Sequence, residues 1–273
     1  MNASLAIETP TLESALEPVA RPAGRTVAQA APPLPGVIGI LGGMGPLASA
    51  DLMTKIILST PATCDQDHVP VVVASIPQIP SRIDALVRSG PSPVPAMLAV
   101  LRRLERAGAG AIAMPCNTAH AWYDTLAAHT DLPILNIVRC ALAELRATET
   151  RIGVLASAGT IKAGLYSGPL RAGGRQLVEL SEFAQASWVD PAIAQVKAGR
   201  IDAARELLEP AARQMRERGA QVIILACTEL PIAMPHACDD TAVRHVDATL
   251  SLARACVAWS MGHAASSAAP FRI

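Results

Sequence analysis

The chain has no excess of charge of either sign, because its 273 residues include 23 Lys and Arg against 23 Asp and Glu. Without a basic surplus to neutralise phosphate groups, nucleic-acid binding is not expected, and no net charge attracts the chain to an anionic membrane. It also lacks an apolar stretch of about 18 residues, so no membrane span is expected. Glu8, Glu13 and Glu17 stand where a secretory signal has a basic start and an apolar run, so export is not expected either.

Cysteine pairs and metal-ligand patterns are missing as well. None of the six cysteines belongs to a CxxC pair, and a chain of this length does not depend on disulfides for its core. The six histidines show no metal-ligand spacing and HExxH is absent, so no metal site is predicted. These features favour a reducing, cytoplasmic location.

Most of the chain is rich in apolar residues, with 51% hydrophobic against 17% charged, which predicts a packed interior. Residues 1–35 are rich in Ala, Pro, Glu and Thr without a helix or strand period, and they predict a disordered extension. Beyond them, short apolar runs alternate with amphipathic segments, which is typical of a parallel sheet flanked by helices. The runs predict strands at 37–41, 71–76, 111–115, 134–137, 151–156, 177–180 and 222–226. The amphipathic segments predict helices at 46–58, 93–107, 119–128, 138–147, 191–198 and 203–217, with Pro210 expected to kink or divide the last one.

The chain also contains an internal repeat. Two pairs of segments align with each other: 101–118 with 212–229 and, more loosely, 36–45 with 150–159. In the first pair, a helix, a strand, a cysteine and a Thr-containing turn follow one another in the same order. The repeat places Cys116 and Cys227 at equivalent positions, each at the carboxyl end of a parallel strand, where open α/β sheets carry their chemistry. It therefore predicts two similar α/β halves whose thiols face one cleft.

A glycine-rich turn follows the first predicted strand. Gly43, Gly45 and Ala48 satisfy the G-x-G-x-x-G/A dinucleotide spacing. The next strand ends without an acidic residue to hold a ribose, which disfavours a nucleotide site. A tight strand-to-helix turn with Pro46 at the first helical position is the plain alternative. We favour a third interpretation, in which free backbone N–H groups of the turn hold a small carboxylate.

The two repeated cysteines are the strongest candidates for chemistry. A cysteine in such a place is more often a small buried apolar residue than a reactive one. Two of them at equivalent points of a repeat favour the reactive interpretation, because each thiol would sit at a helix N-terminus that favours thiolate. Asn117, Thr118 and Thr228 are then expected to bind a substrate carboxylate. The remaining cysteines, predicted to be packing residues, are Cys64, Cys140, Cys238 and Cys256.

His120 supplies an alternative for Cys116. It follows the cysteine by about one helical turn, and a Cys-His nucleophilic pair would imply acyl transfer or hydrolysis. The histidine would otherwise orient the thiol or point to solvent.

At these residues the sequence resembles the aspartate/glutamate racemase superfamily, in its cofactor-independent aspartate racemase branch. The resemblance covers nearly everything from residue 36 to about 262. Its marks are GILGGMGPLASADL (39–52), DQDHVPVVVASIPQIPSR (65–82), MPCNTAH (114–120), GVLASAGTIKAGLY (153–166), VKAGR (196–200) and ACTELP (226–231). Many relatives have Asp where Ser81 stands and Gly where Ala226 stands, while Ile76 occupies a place that is often polar. None of these departures removes a reacting group.

The resemblance implies a two-domain α/β enzyme with a central parallel sheet in each domain and the substrate cleft between them. The expected boundaries are 36–136 and 137–246, with a C-terminal helix at 247–262 packing back on the first domain and a tail at 263–273. Cys116 and Cys227 are implied to be the two catalytic bases, and a homodimer without a cofactor is expected. The positions implied to line the cleft are Met44, Asn117, Thr118, Thr160, Thr228 and Glu229. Arg82 and Lys197 match the basic positions thought to hold the side-chain carboxylate of aspartate.

Inversion at an α-carbon requires removal of a proton from one face and delivery of a proton to the other, which two thiols accomplish as thiolate and thiol. Together with this chemistry, the resemblance implies interconversion of L- and D-aspartate, with glutamate as a further substrate. Alternatives within the superfamily are a broad-specificity amino-acid racemase and a maleate cis-trans isomerase, whereas the second cysteine disfavours a malonate decarboxylase. A non-catalytic ligand-binding protein is the alternative from another class.

Overall fold

Two four-stranded parallel sheets form the framework of the protein in this computed structural model, which describes residues 36–234 and 243–267, the last four by their backbone only. The first sheet has the order β2-β1-β3-β4 and the second has the order β6-β5-β7-β8. The strands are β1 (Ile38–Gly42), β2 (Val71–Ser75), β3 (Ala111–Ala113), β4 (Ile134–Leu135), β5 (Arg151–Ala156), β6 (Gln176–Val178), β7 (Val222–Ala226) and β8 (Arg244–Asp247). Because the two orders are the same, the structure confirms the predicted pair of similar α/β halves.

Twelve α-helices are described beside these strands. In the first half of the chain they are α1 (Pro46–Ser59), α2 (Arg82–Val87), α3 (Val94–Arg106), α4 (Tyr123–Ala127) and α5 (Ile137–Ala143). In the second half they are α6 (Ala158–Lys162), α7 (Ser167–Ala172), α8 (Glu182–Ala184), α9 (Asp190–Lys197), α10 (Ile201–Glu217), α11 (Leu230–Ala233) and α12 (Ala248–Ser267). A short 3-10 helix at Thr118–Trp122 precedes α4.

The apolar runs form the central strands because both of their faces are covered, as parallel sheets require. Every residue of β1 and β7 is buried. The described strand that the sequence analysis missed is β8, an edge strand of four residues in which only Val246 is buried. Its pairing with β7 depends on the backbone, so it leaves almost no apolar signal in the sequence.

The predicted division of the long helix at Pro210 is wrong, because α10 runs without a break from Ile201 to Glu217. This helix buries an apolar stripe that includes Leu208, Ala211 and Met215. Burial of that stripe offsets the free-energy cost of the helical hydrogen bond that is missing because proline has no N–H.

The C-terminal helix α12 packs against α1 of the first half and also against α5. It runs to Ser267, which is beyond the predicted end at residue 262. One apolar cluster joins residues of both sheets to these helices, including Ile40, Ile224 and Leu252. The domain boundary at 136–137 stays a prediction, and the proposed extension at 1–35 and Cys238 lie outside the described residues.

Within residues 36–234 and 243–267, no helix combines the length and apolar character needed to cross a membrane.

Candidate active site

The carboxyl ends of strands from both sheets surround one small cavity. All of the predicted site residues except Thr160 line it. Its complete lining is Met44, Ser81, Arg82, Ile83, Cys116, Asn117, Thr118, Ser157, Ile193, Lys197, Cys227, Thr228 and Glu229. The space inside is about 20 Å³, which is room for roughly one water molecule. This space is smaller than an amino acid, so the surrounding side chains must move before one can bind.

Cys116 and Cys227 occupy equivalent places in the two halves. Cys116 follows β3 and Cys227 follows β7, the third strand of each sheet in chain order. Their residues are only 7% and 6% exposed, respectively. The internal repeat thus brings both thiols to the same buried cavity from opposite halves of the molecule.

The protonation state of Cys227 differs from the expectation. Burial raises its pKa well above the usual value, and the nearby Glu229 carboxylate raises it further. The thiol donates a hydrogen bond to Oε2 of Glu229 over 3.0 Å. The predicted thiolate-favouring setting is wrong for Cys227, because α11 is only four residues long and its N-terminus does not compensate for the loss of water. Cys227 is a protonated thiol in this arrangement.

Hydroxyl groups connect the two halves beside the cysteines. Oγ1 of Thr118 lies 2.9 Å from Oγ of Ser157 and 2.9 Å from Oγ1 of Thr160. Thr160 thus touches the site through Thr118 without lining the cavity. A Cβ atom on Gly159 would meet the Thr118 methyl group at 2.8 Å, so glycine is what lets the halves approach this closely.

Arg82 is largely engaged with backbone carbonyls. Its Nη1 donates to the carbonyls of Ile79 and Pro80 at 2.9 and 2.7 Å, and Nη2 donates to that of Met44 at 3.2 Å. Only Nε is buried without a hydrogen-bond partner. The guanidinium therefore fixes two loops of the cavity wall and leaves its buried Nε–H for a ligand.

Lys197 already faces an anion. Its Nζ lies 3.9 Å from Oε1 of Glu229, and 43% of the lysine side chain is exposed against 5% of the glutamate side chain. Glu229 therefore supplies a negative charge beside Lys197 before any substrate binds. The same Oε1 atom is buried and accepts no hydrogen bond.

The glycine-rich turn packs closely against the neighbouring backbone, and its Gly43 N–H is bonded within the protein. Gly43 has φ +89°, and a Cβ atom there would meet the backbone of Ile76 at 2.3 Å. Its N–H donates to Oγ of Ser49 over 2.9 Å, so this group is not free for a carboxylate. Gly45 instead approaches Glu229, since a Cβ atom there would lie 3.4 Å from Oε1.

Neither ring nitrogen of His120 is available to Cys116 as a base. Nδ1 lies 2.9 Å from the Cys116 carbonyl oxygen, and Nε2 accepts the Ile137 N–H over 3.2 Å. These partners identify Nδ1 as the protonated nitrogen of a neutral ring. Burial lowers the pKa of His120 to about 4. The contacts disfavour a Cys-His nucleophilic pair and give the histidine a structural role.

We expect His120 to make the fold sensitive to acid. An unfolded imidazole binds its proton near pH 6.5, whereas the buried ring resists protonation until about pH 4. The stability that His120 contributes above pH 6.5 should therefore fall by about 3 kcal/mol as the pH drops to 4. Urea unfolding of His120→Gln at several pH values should show a flatter pH profile than that of the wild type. Replacing the exposed His129 by Gln is the control, and equal slopes for all three proteins would contradict the expectation.

Two polar residues of the site escaped the sequence analysis. Ser157 caps α6 by accepting the Thr160 N–H and joins the hydroxyl cluster. Tyr166 donates a hydrogen bond from its phenol to Oδ1 of Asn117 over 2.6 Å. Both lie in the segment 153–166, and the serine carried a recognisable N-cap signal. In the described part of the chain, no group of three or more His, Cys, Asp or Glu is arranged to hold a metal ion.

This fold and cavity define a class of two-domain α/β proteins with paired cysteines at a shared cleft. The Asp/Glu/Hydantoin racemase profile matches residues 41–256, and the chain belongs to this family. Membership supports a racemase activity.

Individual relatives agree with this assignment. The structure of Picrophilus torridus aspartate racemase is 30% identical, with a TM-score of 0.75 over 82% of this chain and 94% of that one. An aspartate racemase homologue from Pyrococcus horikoshii OT3 shares the fold at 23% identity, with a TM-score of 0.66 over 83% of this chain and 99% of that one. A broad specificity amino-acid racemase, RacX, of Bacillus subtilis (strain 168) is 27% identical over 81% of this chain and 96% of its own length.

Proposed function

We propose that the protein is a cofactor-independent amino-acid racemase that interconverts L- and D-aspartate, with glutamate as a further substrate. Two cysteines would transfer protons to and from opposite faces of the substrate α-carbon. The observation that carries this proposal is the placement of Cys116 and Cys227 after equivalent strands, in one buried cavity. A substrate held between them presents opposite faces of its α-carbon to the two sulfur atoms. That is the geometry that inversion without an electron-sink cofactor requires.

Each catalytic cycle would begin with one thiolate and one thiol and end with the two states exchanged. The thiolate removes the α-proton from one face, and the thiol delivers a proton to the other. The protonated Cys227 is prepared to act as the acid. In the reverse direction Cys227 must lose its proton, and Oε2 of Glu229 already accepts a hydrogen bond from that thiol over 3.0 Å.

The charges and unpartnered polar atoms of the cavity favour an acidic amino acid. Arg82 and Lys197 contribute two positive charges and Glu229 one negative charge, which complements the two carboxylates and one ammonium group of aspartate. Among residues 36–234 and 243–267, three buried atoms of this cavity find no hydrogen-bond partner: Nε of Arg82, Nδ2 of Asn117 and Oε1 of Glu229. The two donors could bind carboxylate oxygens of the substrate, and the acceptor could bind its ammonium group.

A broad-specificity racemase is the second candidate. The relative RacX is described as broad in specificity and matches across 96% of its own length. The contacts of Arg82 also favour it, because three backbone carbonyls occupy most of the guanidinium donors. In that case Lys197, which already faces Glu229, would be the main cation left for a side-chain carboxylate.

Deuterium exchange at Cα tests both candidates together. Purified protein is incubated in D₂O with each of a panel of L- and D-amino acids, in the presence of EDTA and without added cofactor, and loss of the Cα proton is followed by NMR. The proposal expects exchange and inversion of aspartate in both directions, with alanine much slower. Comparable rates across the panel would favour broad specificity. No exchange for any amino acid, or exchange only without EDTA, would overturn the proposed activity.

Alkylation should inactivate the enzyme and should modify Cys116 before Cys227. The reacting species is the thiolate, and burial together with Glu229 keeps Cys227 protonated. Peptide mass spectrometry after short exposure to iodoacetamide at neutral pH gives the order of modification. A Cys64→Ala background removes an exposed thiol from the reaction. Earlier modification of Cys227 would contradict its assignment as the protonated thiol.

A homodimer is also proposed. Helix α1 exposes an apolar set comprising Leu47, Met53, Ile57 and Leu58, with Leu58 79% exposed. Burial of this set against a second copy would remove apolar surface from water. Light scattering of the purified chain, with Leu58→Glu as the variant that should dissociate it, tests the assembly.

A further inference from the structure

Tyr166 is the buried tyrosine of this site. The chain contains two tyrosines, and Tyr166 is 3% exposed, whereas Tyr123 is partly buried. Burial raises the pKa of Tyr166 above its usual value, and the nearby Cys140 and Cys227 raise it further. The phenol therefore stays protonated and acts as a hydrogen-bond donor. Its acceptor is Oδ1 of Asn117, which lies 2.6 Å away in the other half of the molecule.

This hydrogen bond determines which end of the Asn117 amide faces the cavity. An amide has an oxygen that accepts and a nitrogen that donates. Because the phenol needs an acceptor, Oδ1 is held on the side of Tyr166 and Nδ2 is directed elsewhere. Asn117 is 2% exposed and lines the cavity, and its Nδ2 is buried without a partner. A buried amide N–H without a hydrogen-bond partner is unfavourable unless a ligand satisfies it.

We propose that Tyr166 is a positioning residue that locks the Asn117 amide with Nδ2 toward the substrate α-carboxylate. This inference rests on the proposed racemase function. Removal of the α-proton places additional negative charge on that carboxylate, so a donor aimed at it stabilises the intermediate more than the ground state. A reversed amide would present Oδ1 to the same carboxylate and oppose the reaction. Tyr166 acts only through Asn117, since its phenol donates its hydrogen bond to Oδ1.

Replacement of Tyr166 by Phe removes the hydroxyl and keeps the ring, which belongs to the apolar cluster joining the two sheets. We expect kcat/KM for aspartate to fall about ten-fold, with the change divided between kcat and KM. The same factor should apply to any other amino acid that the enzyme accepts, because the α-carboxylate is common to all of them. Tyr123→Phe is the matched control, since that phenol donates to the Ile134 carbonyl over 3.2 Å and not to a site residue. It should retain wild-type kinetics.

A double-mutant cycle separates positioning from general loosening. If Tyr166 acts through Asn117, adding Tyr166→Phe to Asn117→Ala should change kcat/KM by less than about two-fold. Multiplication of the two single effects would overturn the proposal, as would wild-type kinetics in Tyr166→Phe. Thermal unfolding of each variant measures any loss of stability separately.

Binding supplies a readout that does not require turnover. Calorimetry with L-aspartate and the Cys227→Ala protein should show affinity weakened several-fold by Tyr166→Phe and unchanged by Tyr123→Phe. Equal affinities in all three proteins would overturn the positioning role. A wild-type protein that exchanges no Cα proton would overturn the proposed function instead, and the calorimetric comparison would still decide whether Tyr166 orients Asn117 toward a bound carboxylate.

Discussion

Replacing either Cys116 or Cys227 by Ala should abolish racemisation, with a loss of at least ~10² to 10⁴ in rate. The two thiols line one cavity from opposite halves, so neither can reach the face of the α-carbon that the other serves. Polarimetry or chiral chromatography with L- and D-aspartate measures the effect. Near-normal racemisation by either variant would show that the two-base assignment is wrong.

The single-cysteine variants should also reveal which face each thiol serves. A remaining thiol can remove a proton and return a solvent deuteron on its own side, so exchange without inversion is expected for one enantiomer only. Cys64→Ala is the control, because this cysteine is exposed and does not line the cavity. Exchange of both enantiomers by one variant would mean that a different group completes the reaction.

Lys197→Met should depress kcat/KM for aspartate by roughly one to two decades. A hydrogen bond to a charged group is worth about 1.5 to 3 kcal/mol, and Lys197 is the cation whose donors are not used by backbone carbonyls. Alanine should lose less, and only because Lys197 also lowers the pKa of Cys227. Steady-state kinetics of wild type and variant on both substrates compare the loss of kcat/KM for aspartate with the loss for alanine. Equal losses would remove the selector role and favour broad specificity.

Lys162→Met is the matched control for that experiment, since Lys162 is exposed on α6 and lies outside the cavity lining. Arg82→Met should behave differently from Lys197→Met. It removes hydrogen bonds to the carbonyls of Ile79, Pro80 and Met44, so turnover of aspartate and alanine should both fall. This expectation revises the selector role predicted from the sequence, in which Arg82 and Lys197 both hold the side-chain carboxylate.

The sequence by itself determined the duplicated α/β architecture and most of the residues gathered at the site. Hydrophobic periodicity and apolar runs are local properties that can be read from the sequence. The internal repeat places the two cysteines at the ends of equivalent strands. The placement of Cys116 and Cys227 in one cavity followed from that logic, as did most strand positions. The edge strand β8 was missed because its pairing uses backbone groups that any sequence possesses.

Only the tertiary structure decided the state of each group within the site. Burial and the approach of Glu229 make Cys227 a thiol, and backbone partners occupy the ring of His120. The contact between Tyr166 and Asn117 joins residues from the two halves. Desolvation and hydrogen bonding depend on which atoms meet in three dimensions, and no spacing in the sequence records that.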